Sequence, residues 1–418
     1  MKKTLLLTLF TMLTTLASAQ KYVGGDISLL PTYEEHGANY MDKDGNKITD
    51  LLTFLKEQGL NALRVRLFVD PSKASNEAKG EGVRQDLDYV KKFGKRIKDA
   101  GMKFMLDFHY SDTWADPSHQ TLPQEFMMVN TPAYEYIYDY TKAALEALVG
   151  VGATPDFIQI GNEISFGMLW DGCKVSANSA WTAYKDDNWD SFSTALKNAG
   201  RACREICPDA KIIIHTEQCA NNPTLDVAFF KRIKDNGVDY DIIGTSYYPY
   251  YKGPVANLNK GLTLLETNFP DKKIMIVETG CDYHYKVGDK DKQYYPLTYE
   301  GQRQFTVDLI TMLKKHQNVD GLFWWFLEAN EYGLDWNTKR VTDGWYNASL
   351  FDNETGKALP ALYELKNFIG DDTGLAVIHN ESLTNDHTWY TLDGRRFSNK
   401  PTAKGVYIRK GQKVVVNQ

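Results

Sequence analysis

Residues 211–248 read KIIIHTEQCANNPTLDVAFFKRIKDNGVDYDIIGTSYY. A β-branched apolar run at 211–216 leads into an amphipathic helical stretch at 225–236, and a second apolar run follows at 241–248. A strand, a helix and a strand in that order form a crossover, which joins parallel strands. The unit recurs on both sides. Strand-like runs fall at 22–28, 60–68, 103–109 and 156–163 before it, and at 273–279 and 321–326 after it. Helical stretches at 84–100, 131–149, 189–206 and 301–316 lie between them. Eight strands alternating with helices predict an α/β fold, a closed (β/α)8 TIM barrel over residues 20–370. The rival is an open doubly wound sheet, which a glycine-rich phosphate turn after the first strand would favour. Gly24-Gly25-Asp26 is not such a turn.

Composition narrows the function. The chain has 418 residues, 43% hydrophobic and 24% charged, the balance of a globular protein with material for a large core. Its 48 Lys and Arg against 54 Asp and Glu leave a net charge of −6 without a long basic run, which argues against nucleic acid as a partner. Nine Trp and 25 Tyr exceed what a core needs, and flat exposed rings suit the apolar faces of sugars.

The ends of the chain read differently from its middle. Lys2-Lys3, an apolar stretch at 5–16 and Ala17-Ser18-Ala19 have the form of a signal peptide over residues 1–19. About 12 apolar residues fall short of the roughly 20 that span a bilayer, so the expectation is an exported protein without a transmembrane segment. No cysteine follows the cleavage site, against a lipoprotein anchor. Residues 371–418 begin with a linker, Asp371-Asp372-Thr373-Gly374, and continue as short strands with turns at Asp393-Gly394 and Lys410-Gly411. This segment resembles the C-terminal sorting tails of exported bacterial proteins; a small β appendage is the alternative.

Five cysteines cannot all pair. Cys203 and Cys207, four apart on a helix, have Cβ atoms roughly 5–6 Å apart, beyond the ~3.8 Å of a disulfide. Cys173, Cys219 and Cys281 follow predicted strands and are within reach of one another in a barrel; burial as small hydrophobes is the simpler expectation. The spacings fit no zinc module.

Barrel closure directs chemistry to the carboxyl ends of the strands. Polar residues gather there: Asp26 on the first strand, Arg64 and Arg66 on the second, Asp107 and His109 on the third. Asn162-Glu163 end the fourth, Tyr247-Tyr248 the sixth, Glu278 the seventh and Trp324-Trp325 the eighth. Glu163 and Glu278 each close an apolar strand and open onto one bowl. Hydrolysis of a glycoside with retention needs two carboxyl groups about 5–5.5 Å apart, one a nucleophile and one an acid/base, with separated pKa values. Arg66, and with it Arg64, is placed to hold one of them ionised.

The stretches QIGNEISFGMLW (159–170), LDFHYSDTWADP (106–117), TSYYPYY (245–251), IVETG (276–280) and WYNASLFDNETGKALPAL (345–362) together resemble glycoside hydrolase family 53, the endo-β-1,4-galactanases. The resemblance implies a retaining endo-hydrolase of β-1,4-galactan in pectic galactan or type I arabinogalactan, with Glu163 as acid/base and Glu278 as nucleophile. It further implies substrate-site roles for Asn162, Arg66, His109, Trp114, Asp116, Tyr247, Tyr248 and Trp325, with Trp114 and Asp116 on the glycone-side wall; Asp26, at the end of the first strand, completes the expected substrate-binding set. Asn162 would meet the 2-hydroxyl of the sugar being cleaved, and Trp325 would stack beneath it. Arg66 and His109 would set the charge on Glu278, though a buried core histidine is an equal reading of His109. Trp324 should face the helices, because strand faces alternate. Rings at Trp114, Trp170, Tyr250 and Tyr251 are expected around an open groove.

This sequence departs from the family where Phe326-Leu327 follow Trp325 in place of Glu-Pro. Bacterial members often hold a structural calcium in long loops of this region. Here only Asp335 and Asp343 remain, and two carboxylates rarely suffice. The expectation is no cofactor, no metal and a monomer. A retaining β-glycanase for mannan, glucan or xylan is the neighbouring alternative, and a glycan-binding protein without catalysis the distant one.

Overall fold

The structure, a computed structural model, describes residues 20–170, 172–284, 293–335, 337–342, 344, 346–370, 389–391, 396–397, 401–402, 405–409 and 412–416. The signal-like segment at 1–19, the 371–374 linker, Asp343 and the turns at 393–394 and 410–411 lie outside them. The chain divides into two compact units between Gly370 and Asp371.

The first unit is a closed barrel of eight parallel strands in sequence order. They are β1 (Tyr22–Asp26), β2 (Ala62–Leu67), β3 (Lys103–Phe108), β4 (Phe157–Ile160), β5 (Lys211–Thr216), β6 (Ile242–Tyr247), β7 (Lys273–Thr279) and β8 (Val319–Trp324). Strand β1 pairs with both β2 and β8, which closes the ring. Its two glycines serve that closure: a Cβ on Gly24 would fall 1.6 Å from the Ala62 carbonyl oxygen, and one on Gly25 2.6 Å from that of Trp324.

Alternation sorts the strand residues into two layers. Ala62, Met105, Phe157, Ile213, Ile242, Met275 and Phe323 form an apolar cluster of their own within the strands. Leu63, Val65, Leu106, Ile158 and Ile214 belong to the larger core shared with the helices. Further along the same strands, Arg64, Asp107, Gln159, His215 and Glu278 carry the polar groups, all buried. Helices begin where polar caps stop the chain: Asp86 accepts the Tyr89 N–H ahead of Leu87–Asp99, and Thr298 that of Gly301 ahead of Tyr299–Leu313.

Outside β5 and β7, strand boundaries differ from the sequence pattern by up to three residues, most at β4 and β8. Strand β4 stops at Ile160, since Gly161 (φ +102°) and Glu163 (φ +49°) take left-handed conformations that leave the ladder. Strand β8 starts at Val319 and ends at Trp324, with Phe326 (φ +49°) turning the chain away. All five cysteines are free and buried, so no bridge forms.

The second unit contains an antiparallel sheet in the order β10-β9-β11-β12, from β9 (Trp389–Thr391), β10 (Arg396–Phe397), β11 (Gly405–Arg409) and β12 (Gln412–Val416). Trp389, Tyr407 and Val416 are its buried apolar cluster. Among the described residues no helix is long and apolar enough to cross a membrane.

Candidate active site

The site is built upward from one guanidinium. Arg64, at period two with Arg66 on β2, reaches Asp26 Oδ2 at 3.1 Å through Nη1. Its Nη2 reaches Asp107 Oδ2 at 2.8 Å, Asn162 Oδ1 at 2.9 Å and Glu278 Oε1 at 2.9 Å. Arg64 thereby ties its own strand to the ends of four others. Burial works against the charge on Asp107, yet Arg64 and His109 outweigh it and hold that carboxyl below its ordinary value.

Arg66 does not take the place expected for it. Its Nη1 binds Asp26 Oδ1 at 2.6 Å, and its guanidinium lies 4.8 Å from the Trp114 ring centroid and 4.9 Å from those of Trp325 and Phe326. Arg64 is the residue that meets Glu278. Arg66 instead secures the aromatic floor from beneath, where cation–π attraction adds to the ion pair. Asp26 is likewise removed from any substrate: it is fully buried, bound by both arginines and by the Ser28 hydroxyl at 2.7 Å.

His109 is also buried. Its Nδ1 accepts the Ala115 N–H at 3.0 Å and its Nε2 lies 3.1 Å from Asp107 Oδ2, which places the ring proton on Nε2. Burial lowers its pKa below the usual value, against the pull of Asp107. His109 thus acts on Asp107 and on the Trp114 loop, and reaches Glu278 only through Asp107 and Arg64.

Above this layer opens a cavity of about 820 Å³. Seven of the expected residues line it: Glu163, Glu278, Asn162, Trp114, Asp116, Tyr248 and Trp325. Asn162 is fixed by Arg64 on its oxygen and by the Ala115 carbonyl, 2.8 Å from its Nδ2. Glu278 Oε2 accepts from Tyr248 Oη at 3.0 Å and Ser246 Oγ at 3.4 Å. A register irregularity after Thr245 sets Ser246 opposite Glu278. Asp116 is a rim residue that accepts the Ser118 and His119 N–H groups at 2.6 and 2.9 Å.

Tyr247 faces the other way. Its hydroxyl donates to the Gly253 carbonyl at 2.8 Å and its ring stacks on Phe305 of the helix Tyr299–Leu313. The alternation that turns Trp324 outward, with Nε1 donating to the Ala348 carbonyl at 2.7 Å, applies equally to Tyr247. Of the expected rim rings, Trp114 and Tyr251 line the cavity, Trp170 lines an adjoining groove, and Tyr250 is buried.

Among the lining residues not singled out from sequence, one carboxyl bears on the glutamate pair. Glu217, two residues past His215 on the β5 end, accepts from Ser165 Oγ at 2.7 Å and from the Gln218 amide. It follows an apolar strand as Glu163 does, so the same strand-end pattern marks it.

The two principal carboxyls sit in unlike fields. Burial raises the pKa of Glu278; Arg64 draws it back down, while Asp107 and Asp26 push it up. Burial raises Glu163 well above its usual value, and Glu278 and Glu217 add to the rise. Glu278 has a guanidinium at 2.9 Å, whereas the charged neighbours of Glu163 are mainly carboxyls. Such a pair can hold one anion and one acid at once.

Residues 22–365 match the family model described as Glycosyl hydrolase family 53. The chain belongs to that family. It is a glycoside hydrolase of a retaining family, built on the barrel that its sequence predicts. A probable arabinogalactan endo-beta-1,4-galactanase A of Neosartorya fischeri is 32% identical over 340 residues, covering 77% of this chain and 89% of that protein. The family 53 catalytic domain of Ignisphaera aggregans superposes with a TM-score of 0.72 at 30% identity, over 84% of this chain and 96% of that one. A fungal β-1,4-galactanase structure gives 0.68 at 27% identity, over 83% and 99%.

Proposed function

We propose that this family 53 enzyme cleaves β-1,4-galactosidic bonds within galactan chains, with net retention of configuration, Glu278 being the nucleophile and Glu163 the acid/base. The observation that carries the assignment is the 2.9 Å contact between Arg64 and Glu278, which favours the anion there, set against the desolvated, cation-poor position of Glu163.

In the first step a Glu278 oxygen attacks the anomeric carbon. The glycosidic C–O bond breaks, and Glu163 passes its proton to the departing oxygen. In the second, Glu163 takes a proton from water, the water oxygen attacks the anomeric carbon, and the Glu278 ester is released. Tyr248 and Ser246 hold the nucleophile in place, and Asn162 faces the cavity with one amide proton left for a sugar hydroxyl. No step calls for a cofactor.

The names of the relatives support galactan as substrate, and the aromatic lining of the cavity suits a sugar chain. The test is the early product distribution from pectic galactan, with mannan, glucan and xylan in parallel. A ladder of galacto-oligosaccharides is the expected outcome. Monosaccharide alone would refute mid-chain cleavage, and preference for another polymer would refute the substrate. Export rests on the signal-like segment at 1–19, and secretion of the chain without it would overturn that part.

A further inference from the structure

The loop that leaves Glu163 carries a second feature, which the reaction above does not use. Residues 176–185 fold back as a small hairpin: Ala177 bridges Tyr184, the Lys185 N–H donates to the Ser176 carbonyl at 2.9 Å, and the Asn178 N–H to that of Ala183 at 2.8 Å. At its tip Trp181 is held at φ +56°, a conformation disfavoured for a bulky aromatic residue, and its side chain is left 53% exposed. Asn178 Oδ1 accepts the Thr182 N–H at 3.0 Å, and Asn222 Nδ2 donates to the Trp181 carbonyl at 2.7 Å, so the strained backbone is pinned on both sides. Within the protein the Trp181 ring meets Phe166 edge to face, with centroids 5.9 Å apart. A strained backbone that presents an exposed ring is a feature found at ligand-binding sites.

Beside the ring is a groove of about 740 Å³, lined by Phe166, Trp170, Trp181, Lys174 and Lys185. Pro117 and Ser118 line both this groove and the catalytic cavity, so the two are continuous. Their charges are opposite. The cavity holds Glu163, Glu217 and Glu278, whereas no carboxylate is among the described residues lining the groove. Lys174 Nζ lies 3.8 Å from the Trp170 ring centroid. Among the described residues near it, Asp186 pairs with Arg232, Asp187 accepts the N–H of Ser176 at the groove wall, and Asp116 accepts those of Ser118 and His119.

We infer that the groove between Trp170 and the Trp181 hairpin is a distal saccharide site for a uronate-bearing sugar on the leaving-group side of the cleft. The side is part of the inference and rests on the proposed function: Glu163 protonates the departing sugar, and most of the groove wall belongs to the loop that continues from Glu163. The departing end of a galactan side chain is the end that joins its carrier backbone. A carrier bearing uronic acids would bring carboxylates to Lys174 and Lys185, and a pyranose face to Trp181.

The experiment compares Trp181→Ala and the Lys174→Gln/Lys185→Gln pair with wild type on three substrates. These are an aryl β-galactoside, neutral galactan, and galactan still attached to a uronate-rich backbone. Trp181→Ala should lower kcat/KM about tenfold on the attached polymer and leave the aryl galactoside unchanged, the size expected for one stacking contact. The lysine pair should lose roughly fivefold on the attached polymer, an effect that rising salt removes, with neutral galactan unaffected. Activity of Trp181→Ala on the attached polymer within twofold of wild type, with wild-type thermal stability, would overturn the site. Equal losses on neutral and attached galactan in the lysine pair would overturn its charge preference. A wild type that cuts neither galactan fails the functional reading instead; calorimetric binding of a uronate oligosaccharide to wild type and Trp181→Ala then still decides the groove.

Discussion

Arg64 Nη2 stands 2.9 Å from Glu278 Oε1 and within 3 Å of Asp107 and Asn162 as well, so one nitrogen joins the ends of β2, β3, β4 and β7. Only a planar fork with several donors meets all of these with Asp26 besides. Arg64→Lys keeps the charge but not the fork. It should lower kcat on galactan by roughly 100-fold or more while KM changes little, as for loss of a contact that matters in the transition state. A kcat near wild type would show that charge alone suffices.

The roles of the two glutamates separate by leaving group. Glu278→Gln should abolish turnover of every substrate, since no nucleophile remains. Glu163→Gln should be inactive on galactan yet retain much of its activity on aryl galactosides with good leaving groups, which depart without a proton. Equal losses on both substrates in the two variants would remove the assignment.

The pH profile follows from the same pair. Activity requires Glu278 ionised and Glu163 protonated, so kcat/KM should rise as Glu278 loses its proton and fall as Glu163 loses its own. Burial displaces both groups upward, so each limb should lie above the ordinary glutamate value of about 4.3. Glu217 adds to the upward displacement of Glu163. Glu217→Gln should therefore move the alkaline limb to lower pH and leave the acid limb nearly in place, as measured by initial rates across pH.

Trp324 and Trp325 are adjacent and opposite in consequence. Trp325 lies 6.0 Å from Trp114 across the cavity floor, whereas Trp324 is fully buried against Phe305. Trp325→Ala should reduce kcat/KM on galactan by roughly 10–100-fold with a modest change in Tm. Trp324→Ala should cost about 3–5 kcal/mol of stability and leave the activity of the folded fraction near normal. Thermal unfolding and rates measured on the same samples distinguish the two.

Glu328 lies behind the site, fully buried, with Oε1 accepting the Leu29 N–H at 2.7 Å. Burial, with Asp26 adding, pushes its pKa up to about 8. The folded state therefore holds a proton that the unfolded chain releases near 4.3. Its stabilising contribution is present below that value and is lost as pH rises through about 8. Glu328→Gln keeps the acceptor and cannot ionise. It should raise stability at pH 9 by roughly 2–4 kcal/mol and change it little at pH 4, as read from denaturation at the two pH values.

What the sequence determined by itself was whatever depends on near neighbours along the chain. Eight short apolar runs with helical stretches between them predicted parallel strands and a closed barrel, and closure put Glu163 and Glu278 at one mouth although they lie far apart in sequence. Trp324 and Trp325 could be sorted by the alternation of strand faces, as Tyr247 and Tyr248 could have been. Tertiary structure decided what depends on depth and on competition between partners. Arg64 and Arg66 share a face and a spacing, so no local pattern tells which meets Glu278. The register of β2 against β3 and the reach across the barrel give Glu278 to Arg64, and Asp26 and the aromatic floor to Arg66. Asp26 could not serve a substrate once both guanidiniums had claimed its oxygens. The Trp181 hairpin depends on a left-handed residue held by Asn178 and Asn222, the latter from a different loop, and a contact of that kind leaves no period in the sequence.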